Sequence, residues 1–203
     1  IIITNPTYSL SYTSAFVSIF CKDYKIPVVL TGADKVLSDP TSNGYSNFTT
    51  SVEIIMDNRV GVWTVFDSIF SADTVMEADY FSDKFRTGNS PLTVTKCSKN
   101  ITFNNKVVII KMYPVIDFGM INFADNIKAC LLVGYHSGTA DENAVDILLS
   151  KCKEKNIPLY LQGLNKESAL YDSSNNLQDK GVNLVYNSTP EYAYATLMIK
   201  VNS

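Results

Sequence analysis

The chain has 203 residues and a mass of 22.5 kDa, which is enough for one large domain or two small ones, each with a hydrophobic core. Hydrophobic residues make up 46% and charged residues 18%, a balance that excludes a disordered chain and a coiled coil. The net charge is -3 and the basic residues are scattered singly, so we do not expect nucleic acid as a partner. No apolar run approaches the roughly 18 residues of a membrane span, so we do not expect a membrane partner either.

The first ninety residues predict alternating strands and helices. Ala15, Phe16, Ile19 and Phe20 repeat at helical spacing, while the run Val-Val-Leu at residues 28–30 is typical of a buried strand. Turn-forming residues dominate the segment after that strand, up to Gly44. The predicted strands are residues 1–4, 28–30 and 61–66, the predicted helices are residues 11–22 and 45–56, and residues 68–91 show no clear periodicity.

A polar stretch rich in Asn, Ser and charge covers residues 93–105, between two apolar strands. Such a composition is typical of a linker between domains. We therefore predict a domain over residues 1–95, a linker over residues 96–105 and a second domain over residues 106–203.

The second half of the chain continues the alternation. Asp141 is the predicted N-cap of a helix, and Thr189 caps a final helix in which Pro190 takes the first position, where its missing N–H costs nothing. Strands are predicted at residues 107–111, 129–133, 157–161 and 183–185, and further helices at residues 118–125, 141–154 and 173–179. This order predicts an α/β protein with mostly parallel sheets, in which ligands bind at the carboxyl ends of strands. Residues 5–9, 31–44 and 135–140 are the loops expected there.

The cysteines give no sign of a metal site, because no Cys-X-X-Cys pair and no neighbouring histidine cluster occur. Cys130 lies in an apolar strand and Cys152 on the apolar side of a helix, which is typical of free thiols in a reducing cytosol. Three glycosylation sequons would instead indicate a secreted protein, but such matches are common by chance in an Asn-rich chain. We expect a cytoplasmic protein without a metal or another cofactor.

Common catalytic motifs are absent. The sequence has no Gly-X-Ser-X-Gly, no dinucleotide or phosphate-binding glycine loop, and no His-Glu-X-X-His. The single histidine, His136, follows a predicted strand, but a structural role is the more common one for a lone histidine. Asp34, Asp39 and Asp73 could act as acid or base groups, although turn formation is the simpler interpretation.

Three segments resemble, in the same order, the bacterial-type asparaginase/glutaminase family. Residues 4–9 (TNPTYS), 27–33 (PVVLTGA) and 41–47 (TSNGYSN) are similar to the family's T-H-G-T-D-T, P-V-V-x-T-G-A and S-x-D-G-x-x-N. The segment after residue 105 resembles the smaller carboxyl-terminal domain of that family. The resemblance implies an asparaginase-like fold, with a partial amino-terminal domain and a small carboxyl-terminal α/β domain.

The resemblance also implies which residues would act. In the family, a threonine hydroxyl attacks an amide, a lysine takes its proton, and an aspartate holds the lysine. Thr7 stands at the threonine position, Tyr8 at the aspartate position and Met76 at the lysine position, with Lys84 as a distant alternative. A hydroxyl needs an adjacent base to become a nucleophile, and neither a phenol nor a thioether replaces the lysine. A turn-forming threonine at the end of a strand is the competing interpretation of Thr7.

The family's other catalytic threonine, in a T-G-G-T-I motif, would precede Ile1. Either the natural protein has lost that segment or this chain is partial, and a first residue other than Met favours some missing amino-terminal sequence. We expect a catalytically degenerate relative that acts as a binding or structural partner. The alternative is an active amidohydrolase, converting asparagine or glutamine to aspartate or glutamate and ammonia, that is completed by sequence or a partner outside this chain.

The resemblance implies a homodimer or larger oligomer. It also implies a small amino-acid-like ligand, with Thr31, Gly32 and Ala33 as substrate-binding residues. A surviving pocket is expected to be lined by these three residues with Thr7 and Tyr8, because all five follow adjacent strands at their carboxyl ends. Tyr8 removes a charge and adds bulk, so we expect a free amino acid to fit poorly.

Overall fold

The computed structural model describes residues 1–79, 81–89, 101–167 and 171–203. The chain divides into two compact units, residues 1–97 and residues 98–203. Half of the predicted linker, residues 96–100, lies outside the described residues.

The first unit is built on a mainly parallel sheet. The strands are β1 (Ile2–Thr4), β2 (Pro27–Thr31), β3 (Gly61–Phe66), β4 (Ser68–Ser71), β5 (Val75–Met76) and β6 (Arg86–Thr87), and the helices are α1 (Thr7–Cys21) and α2 (Gly44–Met56). Among the described residues, four strands lie in the order β1-β2-β3-β4, with β1, β2 and β3 parallel and β4 antiparallel to β3. A separate antiparallel ribbon pairs β5 with β6.

The two helices cover opposite faces of this sheet. Val29 and Leu30 are adjacent in β2, so their side chains point to opposite faces, and both are fully buried. Leu30 packs in a cluster with Leu10 of α1, whereas Val29 packs with Ile54 of α2. A sheet covered on both faces explains why residues 27–30 of β2 are all apolar.

The second unit is also built on a parallel sheet. Its elements are β7 (Val107–Lys111), a 3₁₀ turn (Phe118–Met120), β8 (Ala129–Val133), α3 (Glu142–Glu154), β9 (Leu159–Leu164), α4 (Asp172–Asp179), β10 (Asn183–Tyr186) and α5 (Pro190–Asn202). Within the described residues the strand order is β10-β9-β8-β7. Helices α3 and α4 pack with Cys130 and Leu132 of β8, while α5 contacts β7, β8 and β9. The predicted α/β class with mostly parallel sheets is confirmed.

Both predicted helix caps of this unit are confirmed. The side chain of Asp141 accepts a hydrogen bond from the N–H of Ala144 at 2.9 Å. That of Thr189 accepts from the N–H of Tyr192 at 3.1 Å. Each cap pairs an N–H that the first turn of a helix leaves without a partner.

Two predicted helices are corrected. The first begins at Thr7 rather than at residue 11, because Pro6 takes the N-cap position and the chain turns into the helix directly after it. Polar residues fill that first turn, so it carries no apolar periodicity. The helix predicted at residues 118–125 is only a 3₁₀ turn, closed by the carboxylate of Asp117, which accepts from the N–H of Gly119 at 2.7 Å.

Candidate functional site

The carboxyl ends of β1 and β2 lie side by side in the first unit. The N–H of Asn5, just after β1, donates to the carbonyl of Thr31, the last residue of β2, at 2.8 Å. A Cβ on Gly32 would lie 2.7 Å from the carbonyl oxygen of Asn5, closer than side chains come to backbone. Glycine at position 32 therefore lets the chain leaving β1 cross directly over the end of β2.

Thr7 lies next to this crossing. It is the first residue of α1, and its methyl carbon would lie 3.8 Å from a Cβ on Gly32. Within the described part of the chain, the Thr7 hydroxyl makes no hydrogen bond. Helical geometry replaces the predicted turn, so the interpretation of Thr7 as a turn residue is wrong.

Tyr8 points away from the strand ends. It is 81% exposed on the outer side of α1. Met76 lies in the β5–β6 ribbon, opposite Arg86, and β5 packs against α1. Lys84 is exposed near the same ribbon, where its carbonyl accepts from the N–H of Asp79 at 3.2 Å. The structure thus places neither a carboxylate at position 8 nor an amine at position 76 beside Thr7.

A network of amide side chains fixes the loops that leave β2 and β3. Asn47, buried in α2, donates through Nδ2 to the carbonyl of Gly32 at 2.9 Å, and its Oδ1 accepts from the N–H of Asp67 at 2.9 Å. Asn43 and Asp34 exchange backbone-to-side-chain hydrogen bonds, each 2.9 Å long. Asn43 also donates to the carboxylate of Asp67 at 2.9 Å. These hydrogen bonds fix the segments that follow β2 and β3 against the start of α2.

The role of this network was not predicted, although residues 41–47 were singled out for their resemblance to a family motif. Asn43 and Asn47 are four residues apart, so they fall on one face of a helix start. That spacing was the available signal, because polar residues on the buried side of a helix require partners.

The loop between β2 and α2 is held together by its own side chains. Both the hydroxyl and the N–H of Thr41 donate to Oδ1 of Asp39, at 2.7 and 2.8 Å. These bonds, first the hydroxyl and then the N–H, lower the pKa of Asp39. The loop therefore carries a carboxylate that is stabilised in its ionised form, the opposite of what a general acid requires.

A pocket of about 620 Å³ opens at the carboxyl ends of β1 and β2. Thr31, Gly32 and Ala33, which were predicted to bind substrate, line it, whereas Thr7 and Tyr8 are not among its lining residues. The reason is the direction of α1, which carries Tyr8 to the outside. The lining residues are Thr4, Asn5, Pro6, Thr31, Gly32, Ala33, Leu37, Gly44, Tyr45 and Phe48.

Three glycines, Gly134, Gly138 and Gly163, lie close together at the ends of β8 and β9. A Cβ on Gly138, which has φ +73°, would lie 2.6 Å from the carbonyl oxygen of Gly163. His136 lies in the same loop and is exposed. The loop is thus packed backbone to backbone, with His136 on its outer surface.

No group of three or more His, Cys, Asp or Glu residues in the described ranges is arranged to hold a metal ion. Among the helices the structure describes, none is long and apolar enough to cross a membrane.

The sequence profile of the asparaginase amino-terminal domain matches residues 1–108, more than half of the chain. The chain belongs to the asparaginase family. No curated protein sequence matches this member of the family.

Solved structures of L-asparaginases share the fold of this asparaginase-family chain. L-asparaginase I from Vibrio cholerae is 22% identical with a TM-score of 0.72, and the match covers 100% of this chain and 69% of that one. The thermostable L-asparaginase from Thermococcus kodakarensis is 20% identical with a TM-score of 0.76 over the same shares. The probable cytoplasmic L-asparaginase from Campylobacter jejuni is 20% identical with a TM-score of 0.67, covering 98% of this chain and 70% of that one. The predicted family and its fold are confirmed.

Proposed function

We propose that this asparaginase-family chain is catalytically degenerate and acts as a binding or structural partner. The proposal rests on one observation, that no basic group among the described residues is hydrogen-bonded to the hydroxyl of Thr7. Its hydroxyl makes no hydrogen bond in the described part of the chain, and Tyr8, in the aspartate position, is 81% exposed. Met76, in the lysine position, carries a thioether that takes no proton at neutral pH.

The energetics favour this proposal. A hydroxyl is a weak nucleophile at its own pKa, so amide hydrolysis by Thr7 requires a group that removes its proton. Loss of a general base costs roughly 10²–10⁴-fold in rate. The family membership supports amidohydrolase chemistry as the type of reaction if any activity exists, with Thr7 as the nucleophile and other residues supplying the base.

Ammonia release separates the two alternatives. The chain is incubated with L-asparagine and with L-glutamine, alongside a Thr7→Ala variant. We expect both proteins to match the buffer control. Turnover by the unmodified chain that disappears in Thr7→Ala would instead establish an active amidohydrolase.

We further propose that the chain forms a homodimer or larger assembly. In the described residues, β1 is an outer strand of its sheet, so one side of its backbone has no strand partner, and such edges are usually covered in native proteins. Light scattering at micromolar concentration tests this. A dimer or larger species is expected, and a monodisperse monomer would contradict the proposal.

A reducing cytoplasmic setting is part of the proposal. Cys130 and Cys152 are both buried and both free, and their thiols are hydrogen-bonded to each other. Buried free thiols are typical of proteins in the reducing cytosol. Fractionation of the source cells would test the location, and recovery of the chain outside the cytosol would contradict it.

A further inference from the structure

We propose that the Asn43–Gly44 peptide is a modification site, at which the side chain of Asn43 loses its amide and becomes aspartate or isoaspartate once the surrounding loop opens. Asn43 and Gly44 form the only Asn-Gly pair in the sequence. Glycine has no Cβ, so its nitrogen is the least hindered backbone nitrogen for attack on a preceding side chain. The inference goes beyond the proposed function, because the reaction needs water alone and no added substrate.

The reaction runs in two steps, both inside this one peptide. In the first, the Gly44 nitrogen gives its proton to hydroxide and bonds to Cγ of Asn43, while the Cγ–Nδ2 bond breaks and Nδ2 takes a proton from water and leaves as ammonia. In the second, water opens the five-membered imide ring that has formed. Cleavage of the bond to Cγ leaves aspartate, whereas cleavage at the main-chain carbonyl leaves isoaspartate, which adds a methylene group to the backbone.

The backbone of Asn43 is turned away from ring closure. The imide ring is nearly planar, so the Gly44 nitrogen has to eclipse Cβ of Asn43, but ψ of Asn43 is -3° and this nitrogen eclipses the Asn43 backbone nitrogen instead. The N–H of Gly44 also donates to the hydroxyl of Ser42 at 3.2 Å. Rotation about ψ would carry the carbonyl of Asn43 away from the N–H of Asn47, which donates to it at 2.9 Å. Ring closure therefore requires the first turn of α2 to open.

The side chain of Asn43 is held as well. Its Oδ1 accepts from the N–H of Asp34, and its Nδ2 donates to the carboxylate of Asp67, both at 2.9 Å. Turning Cγ towards the Gly44 nitrogen breaks both hydrogen bonds. Only the fraction of molecules with an opened loop reacts, so the rate in the folded chain is the rate of the open chain multiplied by that fraction.

The product no longer closes the loop. Aspartate at position 43 has no N–H to donate, and its carboxylate would face that of Asp67, where like charges at hydrogen-bond distance repel each other. Isoaspartate lengthens the backbone directly before Gly44, the first residue of α2 and part of the pocket lining. The modification is thus a one-way release of the start of α2.

Peptide mass mapping of the full chain, kept for several days at neutral pH, tests the site. We expect conversion at Asn43 to be at least about tenfold slower in the folded chain than in urea. Asp67→Gly removes the acceptor of Nδ2 and tolerates the φ of +53°, so it should speed the reaction of the folded chain about threefold or more and leave the rate in urea unchanged. The matched control is Asp57→Gly, which removes an exposed carboxylate at the other end of α2 and should change neither rate.

Hydrogen exchange tests the consequence for the loop. The N–H of Asn47 should exchange faster in Asn43→Asp than in the double variant Asn43→Asp with Asp67→Asn, which has the same residue at position 43 but restores one amide and one carboxylate to the pair. The proposal is overturned if Asn43 is not converted in urea, if the folded chain reacts as fast as the unfolded one, or if Asp57→Gly accelerates the reaction as much as Asp67→Gly. Equal exchange in the single and double variants also overturns it.

Discussion

The side chain of Asn47 joins α2 to the end of β2, since its Nδ2 donates to the carbonyl oxygen of Gly32 at 2.9 Å. The oxygen of the same amide accepts from the N–H of Asp67, just after β3, also at 2.9 Å. One buried side chain, 2% exposed, therefore satisfies two backbone groups at neighbouring strand ends. Because Gly32 also lines the pocket, the shape of the candidate site depends on this amide.

Replacing Asn47 with Ala should destabilise the first unit by about 1–3 kcal/mol, because it removes two part-buried hydrogen bonds, each worth about 0.5–1.5 kcal/mol. The measurement is urea unfolding followed by the fluorescence of Trp63, the chain's single tryptophan, which lies in β3 of this unit. Thr49→Ala is the control, since Thr49 is exposed in the same helix, where its hydroxyl donates to the carbonyl of Tyr45 at 2.9 Å. Its cost should stay below about 0.5 kcal/mol. Equal effects of the two substitutions would contradict the role assigned to Asn47.

Regular elements with strong local signals were predictable from the sequence, and the reasons are physical. The buried run at Val28, Val29 and Leu30 can only be satisfied inside a sheet, and Asp141 and Thr189 carry capping chemistry that acts within one turn. The antiparallel β4 was missed because it is a short, mostly exposed edge strand, and its pairing depends on the reversal at Asp67, which has φ +53°.

The candidate site was predictable only in part. Thr31, Gly32 and Ala33 follow a buried strand, so the rule for parallel sheets placed them at the pocket. The direction of Tyr8 depends on where α1 begins, and the polar first turn of that helix concealed its start. Tyr45 and Phe48 also line the pocket and are 67% and 50% exposed. Their exposure depends on which side of α2 packs against the sheet, and a local sequence pattern does not contain that information.

The glycine packing in the second unit predicts a large difference between two substitutions. Gly138→Ala would place a methyl group 2.6 Å from the carbonyl oxygen of Gly163, in addition to forcing alanine to φ +73°. Gly181→Ala imposes a comparable strain at φ +104° but meets nothing within 4 Å. We expect Gly138→Ala to cost at least about 2 kcal/mol more than Gly181→Ala, because backbone atoms around Gly163 would have to move.

Hydrogen exchange of the β8 and β9 amides measures this difference in the second unit. Gly138→Ala should accelerate exchange in both strands clearly more than Gly181→Ala does. Equal exchange in the two variants would show that the loop ending at Ala140 is not packed as described.

The buried thiols predict selective alkylation. The hydrogen bond from Cys152, together with burial, raises the pKa of Cys130 above its ordinary value, and burial raises the pKa of Cys21 as well. A raised pKa leaves less thiolate at a given pH, and only the thiolate reacts with iodoacetamide. Between pH 7 and 9 we expect Cys130 to stay unmodified and half-buried Cys21 to react slowly. Peptide mass mapping measures this, with the chain in urea as the reactive control, and modification of Cys130 in the folded chain as fast as that of Cys21 would contradict the assignment.

Ammonia release by the purified chain tests the central claim, the lack of catalytic activity, most directly. An ordinary enzyme turns over at about 10 s⁻¹. If only the base were missing, a rate of about 10⁻³ s⁻¹ could remain, because loss of a base costs at most about 10⁴-fold. At that rate, about 10 μM protein would release roughly 36 μM ammonia in one hour, so long incubations at high protein concentration detect it. We predict that ammonia from L-asparagine and from L-glutamine stays at the buffer level for the chain and for Thr7→Ala alike. Ammonia above that level from the unmodified chain, abolished in Thr7→Ala and retained in the neighbouring Ser9→Ala, would contradict the account.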